Sequence, residues 1–336
     1  MKLETLKINS KALKTKKAKT WMSAILMLFF VLAGIKFVYI LNEYSYWKNT
    51  EDIYTAAIAD KAIDYSFLKP FRNWEIKGLE GIYARSAVSM VINSHEEKIV
   101  FERNSDAMFP IASLSKIMTA YVALKNYELN DSIVITQKIV QTEENKGNFR
   151  IGEQLTVEEL LASMLIESSN DAAMAIAEIM GENKFISLMN QEAKTLGLNH
   201  TYFDDPIGLD PDNGIGGFNY STANELALLV QHILKESVDN PKIAKIIEIM
   251  RKEEHDIVLT NGNFHHKAIS TNKILDEFPN MIGAKTGQTP KAKQCFLVIL
   301  PKPKGEGYLI NVILGSDNRF QEMKKIINWL NKAFVW

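Results

Sequence analysis

The sequence predicts an α+β fold: an antiparallel five-stranded sheet flanked by helices, plus an all-helical lobe. Two strand-like stretches open the main domain, a helical middle follows, and three strands and a helix close it. Strands adjacent in sequence are joined by short turns, which suits antiparallel pairing; parallel strands need long crossovers. No internal repeat or low-complexity tract interrupts this order.

Composition excludes several classes. Hydrophobic content of 46% and charged content of 24% are ordinary for a globular chain. The net charge of −1 gives no general signal for nucleic acid. That average hides an asymmetry: residues 1–20 hold seven lysines and one glutamate, a net of +6, so the remaining 316 residues carry −7. Cys295 is the single cysteine, so no intrachain disulfide can form.

The basic segment 1–20 precedes Trp21 to Leu41, which is apolar apart from Ser23, Gly34 and Lys36. Its 21 residues are enough to cross a bilayer as a helix. The lysines before it and the acidic bias after it predict a cytoplasmic N-terminus and an extracytoplasmic remainder. Tyr39, Tyr44, Tyr46 and Trp47 fit an outer aromatic belt. A cleaved signal peptide is the alternative, but no small-x-small pattern directly follows the apolar run. Residues 42–82 form a juxtamembrane connector rich in aromatics and poor in Gly and Ser, hence not a flexible tether.

The main domain is expected over 83–336. Ser86–Asn93 and Lys98–Arg103 read as strands around a Ser94-His95-Glu96-Glu97 turn. A buried helix follows from the Ser113 region to about Lys125. Thr156-Val157-Glu158-Glu159 and Thr222-Ala223-Asn224-Glu225 are capping boxes that start helices. Between them, helices are expected over 172–180 and 183–196, each stopped by a glycine, Gly181 or Gly197. The stretch 201–217 holds two prolines and four glycines and is a long loop. A helix over 241–251 and a hairpin around Asn261-Gly262-Asn263 come next. Strands at 281–289, 295–300 and 308–314 precede an amphipathic helix over 321–334.

Three short motifs carry chemistry. Ser113 sits at a helix start and Lys116 one turn later on the same face, so the amine can touch the hydroxyl. Free N–H groups at a helix start and burial both disfavour an ammonium, so Lys116 can be neutral near pH 7 and take the serine proton. Alone this pair is commonplace, usually a cap followed by a surface lysine. Ser168-Ser169-Asn170 lies on a turn between helices, where such residues are favoured anyway. Lys285-Thr286-Gly287 lies in a strand, where a glycine is unfavourable unless something must approach the backbone.

Together, in this order and on these elements, the motifs are those of β-lactamases and penicillin-binding proteins. Pro110–Ala120, Ser169–Ala173, Leu196-Gly197, Gly208-Leu209 and Gly283–Thr289 resemble the D-alanyl-D-alanine carboxypeptidases among low-molecular-mass penicillin-binding proteins. The resemblance covers some three quarters of the chain, from about Ser86 onward. It implies a β-lactamase/transpeptidase-like fold and a serine peptidase that removes the terminal D-alanine from peptidoglycan stem peptides. Ser113 is then the acylated nucleophile, Lys116 the general base and Ser168 the relay to the leaving amine. Asn170 holds Lys116 and the substrate backbone. Lys285 supplies positive charge near the terminal carboxylate, and Thr286 hydrogen-bonds it. Gly287 lets the substrate pair with the strand, and the N–H groups of Ser113 and Gln288 form the oxyanion hole. No cofactor or metal is implied; β-lactams are the expected inhibitors.

Departures from the family pattern are Ser169, where relatives often have glycine, and Lys291 and Lys293 after the strand motif. The chain ends about fifty residues after Lys285, so the C-terminal β-domain and amphipathic tail of many relatives are not expected, and the N-terminal helix takes over attachment. A D,D-endopeptidase with the same machinery is the main alternative. A β-lactamase would need a deacylating glutamate, and Glu236 with Asn240 comes too late. An inactive peptidoglycan-binding scaffold conflicts with the intact motifs. His265-His266, facing opposite ways on a strand, lack a carboxylate pattern for metal. His95, His200, His232 and His255 read as surface or cap residues, and Cys295 as buried.

Overall fold

Every residue of Ser86–Ile92 (β1) is buried, although its sequence alternates apolar and small polar residues. The reason is that both faces of the sheet are covered. Val88, Met90 and Ile92 join one core, while Ala87 and Val91 join another. The same parity runs through Lys293–Pro301, where Cys295, Leu297 and Ile299 face the first core and Phe296, Val298 and Leu300 the second. Successive side chains on a strand point to opposite faces, so one strand can serve two cores.

The computed structural model describes residues 35–38, 70–93, 97–211 and 217–336. The chain divides into two units, Met1–Tyr65 and Ser66–Trp336. In the first, residues 35–38 are helical and exposed. The rest of the expected membrane segment 21–41, the connector residues 42–69 and His95 lie outside the described residues. Among the described residues, no helix is long and apolar enough to cross a membrane.

In the second unit, β1 joins Glu97–Arg103 (β2), Gly283–Thr289 (β3), Lys293–Pro301 (β4) and Tyr308–Ser316 (β5). The order is β3-β4-β5-β1-β2, antiparallel throughout, as the sequence pattern predicts. This leaves β3 at an edge with one side unpaired within the sheet. Ahead of the sheet, Phe71–Arg72 pairs with Phe334–Val335. The Arg72 guanidinium lies over the Trp329 ring at 4.9 Å.

Besides a single turn at Gln137–Val140, the helices described in this unit are Lys116–Asn126 (α1), Val157–Ala162 (α2), Asn170–Glu178 (α3), Glu182–Thr195 (α4), Ala223–Glu236 (α5), Pro241–Arg251 (α6) and Arg319–Ala333 (α7). Helix α7 covers one face of the sheet, with Met323, Ile326, Ile327 and Leu330 buried against it. The helical middle does not enclose a core of its own. Leu114, Ile117 and Tyr121 share one continuous core with β1, β4 and β5. Helix α1 is buried on every side from Lys116 to Leu124, the pattern of a central helix rather than an amphipathic one.

Both predicted capping boxes are half-made. Thr156 Oγ1 accepts from Glu159 N at 3.2 Å and Thr222 Oγ1 from Glu225 N at 3.0 Å. The glutamates, however, reach into tertiary contacts: Glu159 to Val258 N, and Glu225 to His200 N and Thr201 Oγ1. A partly buried N–H left without an acceptor is costly, so the carboxylates serve those donors instead. Glu225 thereby pins the start of the loop that leads toward Ser113.

The two adjacent histidines do not face opposite ways. Ile257 pairs with His266 and Val258 with Phe264, so His265 is the extra residue of a β-bulge. The bulge turns both rings to one side, with their Nδ1 atoms 2.6 Å apart. His265 meets Glu153 at 3.1 Å and His266 meets Glu167 at 2.8 Å. Among the described residues no group of three His, Cys, Asp or Glu could hold a metal ion.

Candidate active site

The helix that carries Lys116 begins one step later than its sequence pattern suggests. Ala112–Ser115 form a 3-10 turn, and α1 starts at Lys116 itself. Ala112 adopts a left-handed φ of 49°, which is costly for a residue with a Cβ and marks a strained turn. The turn leaves Ser113 partly exposed above a wholly buried Lys116.

Lys116 Nζ lies 2.8 Å from each of three oxygens: Ser113 Oγ, Asn170 Oδ1 and the Ile207 carbonyl. Burial pulls the amine down to about 7, against the opposing pull of the Asp205 carboxylate. At neutral pH the amine is therefore divided between its charged and neutral forms. As an ammonium it donates to all three oxygens; as an amine it offers a lone pair to the serine proton.

Ser168 reaches the same place by a different device. Ser163–Glu167 form a π-helical turn, and Ser168 ends it with φ 66° and ψ 35°, a left-handed conformation. Such turns are frequent at functional sites because they re-aim the next side chain. Ser169 caps α3 by accepting from Ala172 N at 3.0 Å. Asn170 at the first position of α3 donates from Nδ2 to the Glu143 carbonyl at 3.0 Å, which fixes its Oδ1 toward Lys116.

Lys285 on β3 is buried and donates to Ser168 Oγ at 2.7 Å and to the Thr286 carbonyl at 3.1 Å. Burial drives its amine far below the ordinary lysine range, and the charges of Lys116, Lys146 and Arg319 push the same way. Among the described residues no carboxylate pairs with it. An anion arriving nearby would favour the protonated form.

Ser113, Ser168, Asn170, Thr286, Gly287 and Gln288 all line one cavity of about 130 Å³. Lys116 and Lys285 lie behind it, each touching one of its two serines. Gly287 has a sharp steric reason to be glycine. A Cβ there would sit 2.9 Å from Ser113 N, 3.0 Å from Ala112 Cβ and 3.1 Å from the Ile111 carbonyl. So the strand approaches the backbone of Ser113 itself, where the sequence suggested only an approaching substrate.

A family model described as D-alanyl-D-alanine carboxypeptidase, of the S11 peptidases, matches residues 76–318. The chain belongs to that family. D-alanyl-D-alanine carboxypeptidase DacF of Bacillus subtilis is 30% identical over 260 residues, covering 75% of this chain and 62% of that protein. This chain thus spans less than two thirds of that relative's length. A D-alanyl-D-alanine endopeptidase of Escherichia coli is 28% identical over 261 residues, covering 74% of this chain and 78% of that protein. The crystal structure of the Streptomyces K15 DD-transpeptidase superposes with a TM-score of 0.65 at 25% identity, over 76% of this chain and 100% of that one.

The cavity also holds residues that the motifs do not reveal. Arg319 lines it, donates from Nη1 to the Gly287 carbonyl at 2.8 Å, and leaves a buried Nε without a partner. Burial lowers its guanidinium somewhat from its ordinary value. A legible mark existed: an arginine as the first residue of a helix runs against the helix dipole. Thr271 Oγ1 lies 2.5 Å from Thr286 Oγ1, so two hydroxyls stand side by side on the wall. Glu144 and Lys146 line the rim from a loop tied down by Asn170 and by Asp171, which accepts from Gly147 N at 3.0 Å. Nothing in their local sequence marks them. Cys295 is buried as expected, its thiol pushed up to about 11 by that burial.

Proposed function

We propose that this chain is a serine-type D-alanyl-D-alanine carboxypeptidase acting on peptidoglycan stem peptides. The observation that carries the reading is the contact of Ser113 Oγ with a buried Lys116 amine poised at about 7. A general base works best when its pKa lies near the working pH. Ser113 Oγ attacks the carbonyl carbon between the two D-alanines while its proton passes to Lys116. The C–N bond then breaks, and the leaving amine receives a proton through Ser168, backed by Lys285. Water attacks the resulting ester on Ser113 and releases the shortened peptide.

The remaining residues have roles that fit their positions. The close approach at Gly287 supports an oxyanion hole made by the N–H groups of Ser113 and Gln288, each worth roughly 3–4 kcal/mol in the transition state. The unpaired side of β3 accepts an extended peptide as an additional strand. Thr286, with Lys285 behind it, receives the terminal carboxylate, and Asn170 orients the peptide backbone. A β-lactam acylates Ser113 by the same attack and leaves slowly. The apolar segment 21–41 anchors the protein as an uncleaved single-pass helix, residues 42–82 form the connector, and 83–336 form the catalytic domain on the extracytoplasmic side.

The test is incubation of the full chain in detergent with a diacetyl-Lys-D-Ala-D-Ala peptide. Released D-alanine from the wild type, and none from Ser113→Ala, is the expected result. No release from the wild type would overturn the reading. The endopeptidase relative supports a second reading, cleavage of cross-links by the same residues; cross-linked muropeptides in place of linear ones distinguish the two.

A further inference from the structure

Asp205 is a carboxylate that the scheme above leaves unused, on the loop after α4. Its Oδ1 accepts from Ile207 N at 2.6 Å and also from Gly208 N. Those two bonds fold the Asp205–Gly208 stretch into a tight turn, and the turn presents the Ile207 carbonyl to Lys116 Nζ at 2.8 Å. The turn is also fastened from behind. Asn219 Oδ1 accepts from Asp205 N at 3.2 Å, while its Nδ2 donates to the Asp205 carbonyl and to Ser115 Oγ, both at 2.9 Å. A Cβ on Gly208 would lie 2.1 Å from the Ala112 carbonyl, so this turn is pressed against the nucleophile's turn. Among the described residues Asp205 forms no direct ion pair. The opposite charge nearest in effect is Lys116 itself, two hydrogen bonds away through Ile207.

We propose that Asp205 is a positioning residue for Lys116: it shapes the turn that holds the amine and supplies the negative charge that sets the pH range of proton exchange with Ser113. The inference rests on the reading of Lys116 as the base. As Ser113 attacks, a neutral amine becomes an ammonium in a buried place. Burial raises the Asp205 carboxyl from its ordinary value, while the Gly208 and Ile207 N–H groups and Lys116 pull it back toward the charged form; as a carboxylate it stabilises the charge that develops on Lys116 without any reorganisation. Other charges also face Lys116: Lys146 and Glu144 from the rim loop, Asp171 from α3, and Lys285 from β3. Asp205 acts on Lys116 more strongly than Lys146, Asp171 or Glu144 does. Asp204 is the acidic neighbour that acts on Asp205.

The test separates charge from shape. Asp205→Asn keeps an oxygen for the two N–H groups but removes the charge. Protein labelled with 13C at lysine Cε is titrated by NMR, and Lys116→Arg identifies the Lys116 signal. In Asp205→Asn the midpoint is expected to fall by about one pH unit. The acidic limb of kcat/KM for D-alanine release falls with it, and kcat drops by roughly tenfold with little change in KM. An identical NMR midpoint in wild type and variant overturns the proposal, even if activity is lost. If the wild type releases no D-alanine, the function above fails while the titration still decides the role of Asp205. Should Asp205→Asn not fold, Asp205→Ser retains an acceptor for the turn and is titrated in its place, with the same outcomes.

Discussion

Replacing Gly287 by alanine tests whether the active site is set by strand-to-turn contact. The backbone at Gly287 is not in the left-handed region, so alanine is conformationally acceptable there and only the methyl group matters. That methyl would meet Ser113 N at 2.9 Å and the Ile111 carbonyl at 3.1 Å. Heavy atoms rest comfortably at about 3.5–4.0 Å, so β3 or the serine turn must retreat by roughly half an ångström. Both obstacles are backbone atoms and cannot swing away. Overpacking of this kind costs about 1–3 kcal/mol of stability. A shift of one ångström at reacting atoms can cost about a hundredfold in rate, so half that distance predicts a loss of about tenfold or more. The assay is the second-order rate of labelling by a fluorescent penicillin, read beside a thermal melt. Gly78→Ala is the control, because a Cβ there meets nothing within 4 Å. A Gly287→Ala protein that labels within about twofold of wild type, the scatter allowed to a neutral change, and melts at the same temperature would refute the steric account.

Other outcomes follow from the same geometry. With the Lys116 amine at about 7, kcat/KM rises with pH through that value as the free enzyme loses the proton, and Lys116→Arg abolishes the rise; stopped D-alanine assays across pH 5–9 read it. The same amine lies below its unfolded value of about 10.4, so the unfolded chain binds more protons between the two values, and stability measured by urea unfolding increases with pH across that window. Arg319→Ala removes the donor to the Gly287 carbonyl and lowers kcat/KM for the peptide by about tenfold or more, the worth of a charge-assisted hydrogen bond, and Arg319→Lys restores little of it because the planar fork is lost. Lys285→Met stops acylation yet raises the melting temperature by several degrees, since a buried lysine with no carboxylate partner costs about 1–3 kcal/mol or more; a lower melting temperature would count against that account.

Much of the fold was legible because its signals are local. Thr222 and Pro241 mark the starts of α5 and α6, and short turns between hydrophobic runs announce the antiparallel strands. The three motifs were legible as residue types at fixed spacings. Other features depend on contacts between distant parts of the chain. The bulge at His265 is invisible because a one-residue insertion leaves the strand's composition unchanged. Ala112's left-handed backbone has no mark either, since glycine would be the usual residue there. Arg319 and Thr271 reach the cavity only because the sheet brings β3 beside the start of α7 and the segment after the hairpin. The joint core of helices and sheet was hidden by Ser86 and Ser89, whose small hydroxyls mimic an exposed strand face while being buried.

The serine turn is gripped on two sides, by Gly208 against the Ala112 carbonyl and by Gly287 against Ser113 N. Neither glycine is near it in sequence. A growing chain therefore has Ser113 long before the two contacts that hold its turn can form. Ser113 acquires its pose only after the 203–211 loop has closed and the last three strands have docked. Labelling of Ser113 by a penicillin, where it occurs, would therefore require the whole domain, and a chain cut before β3 lacks one of the two grips on its serine turn.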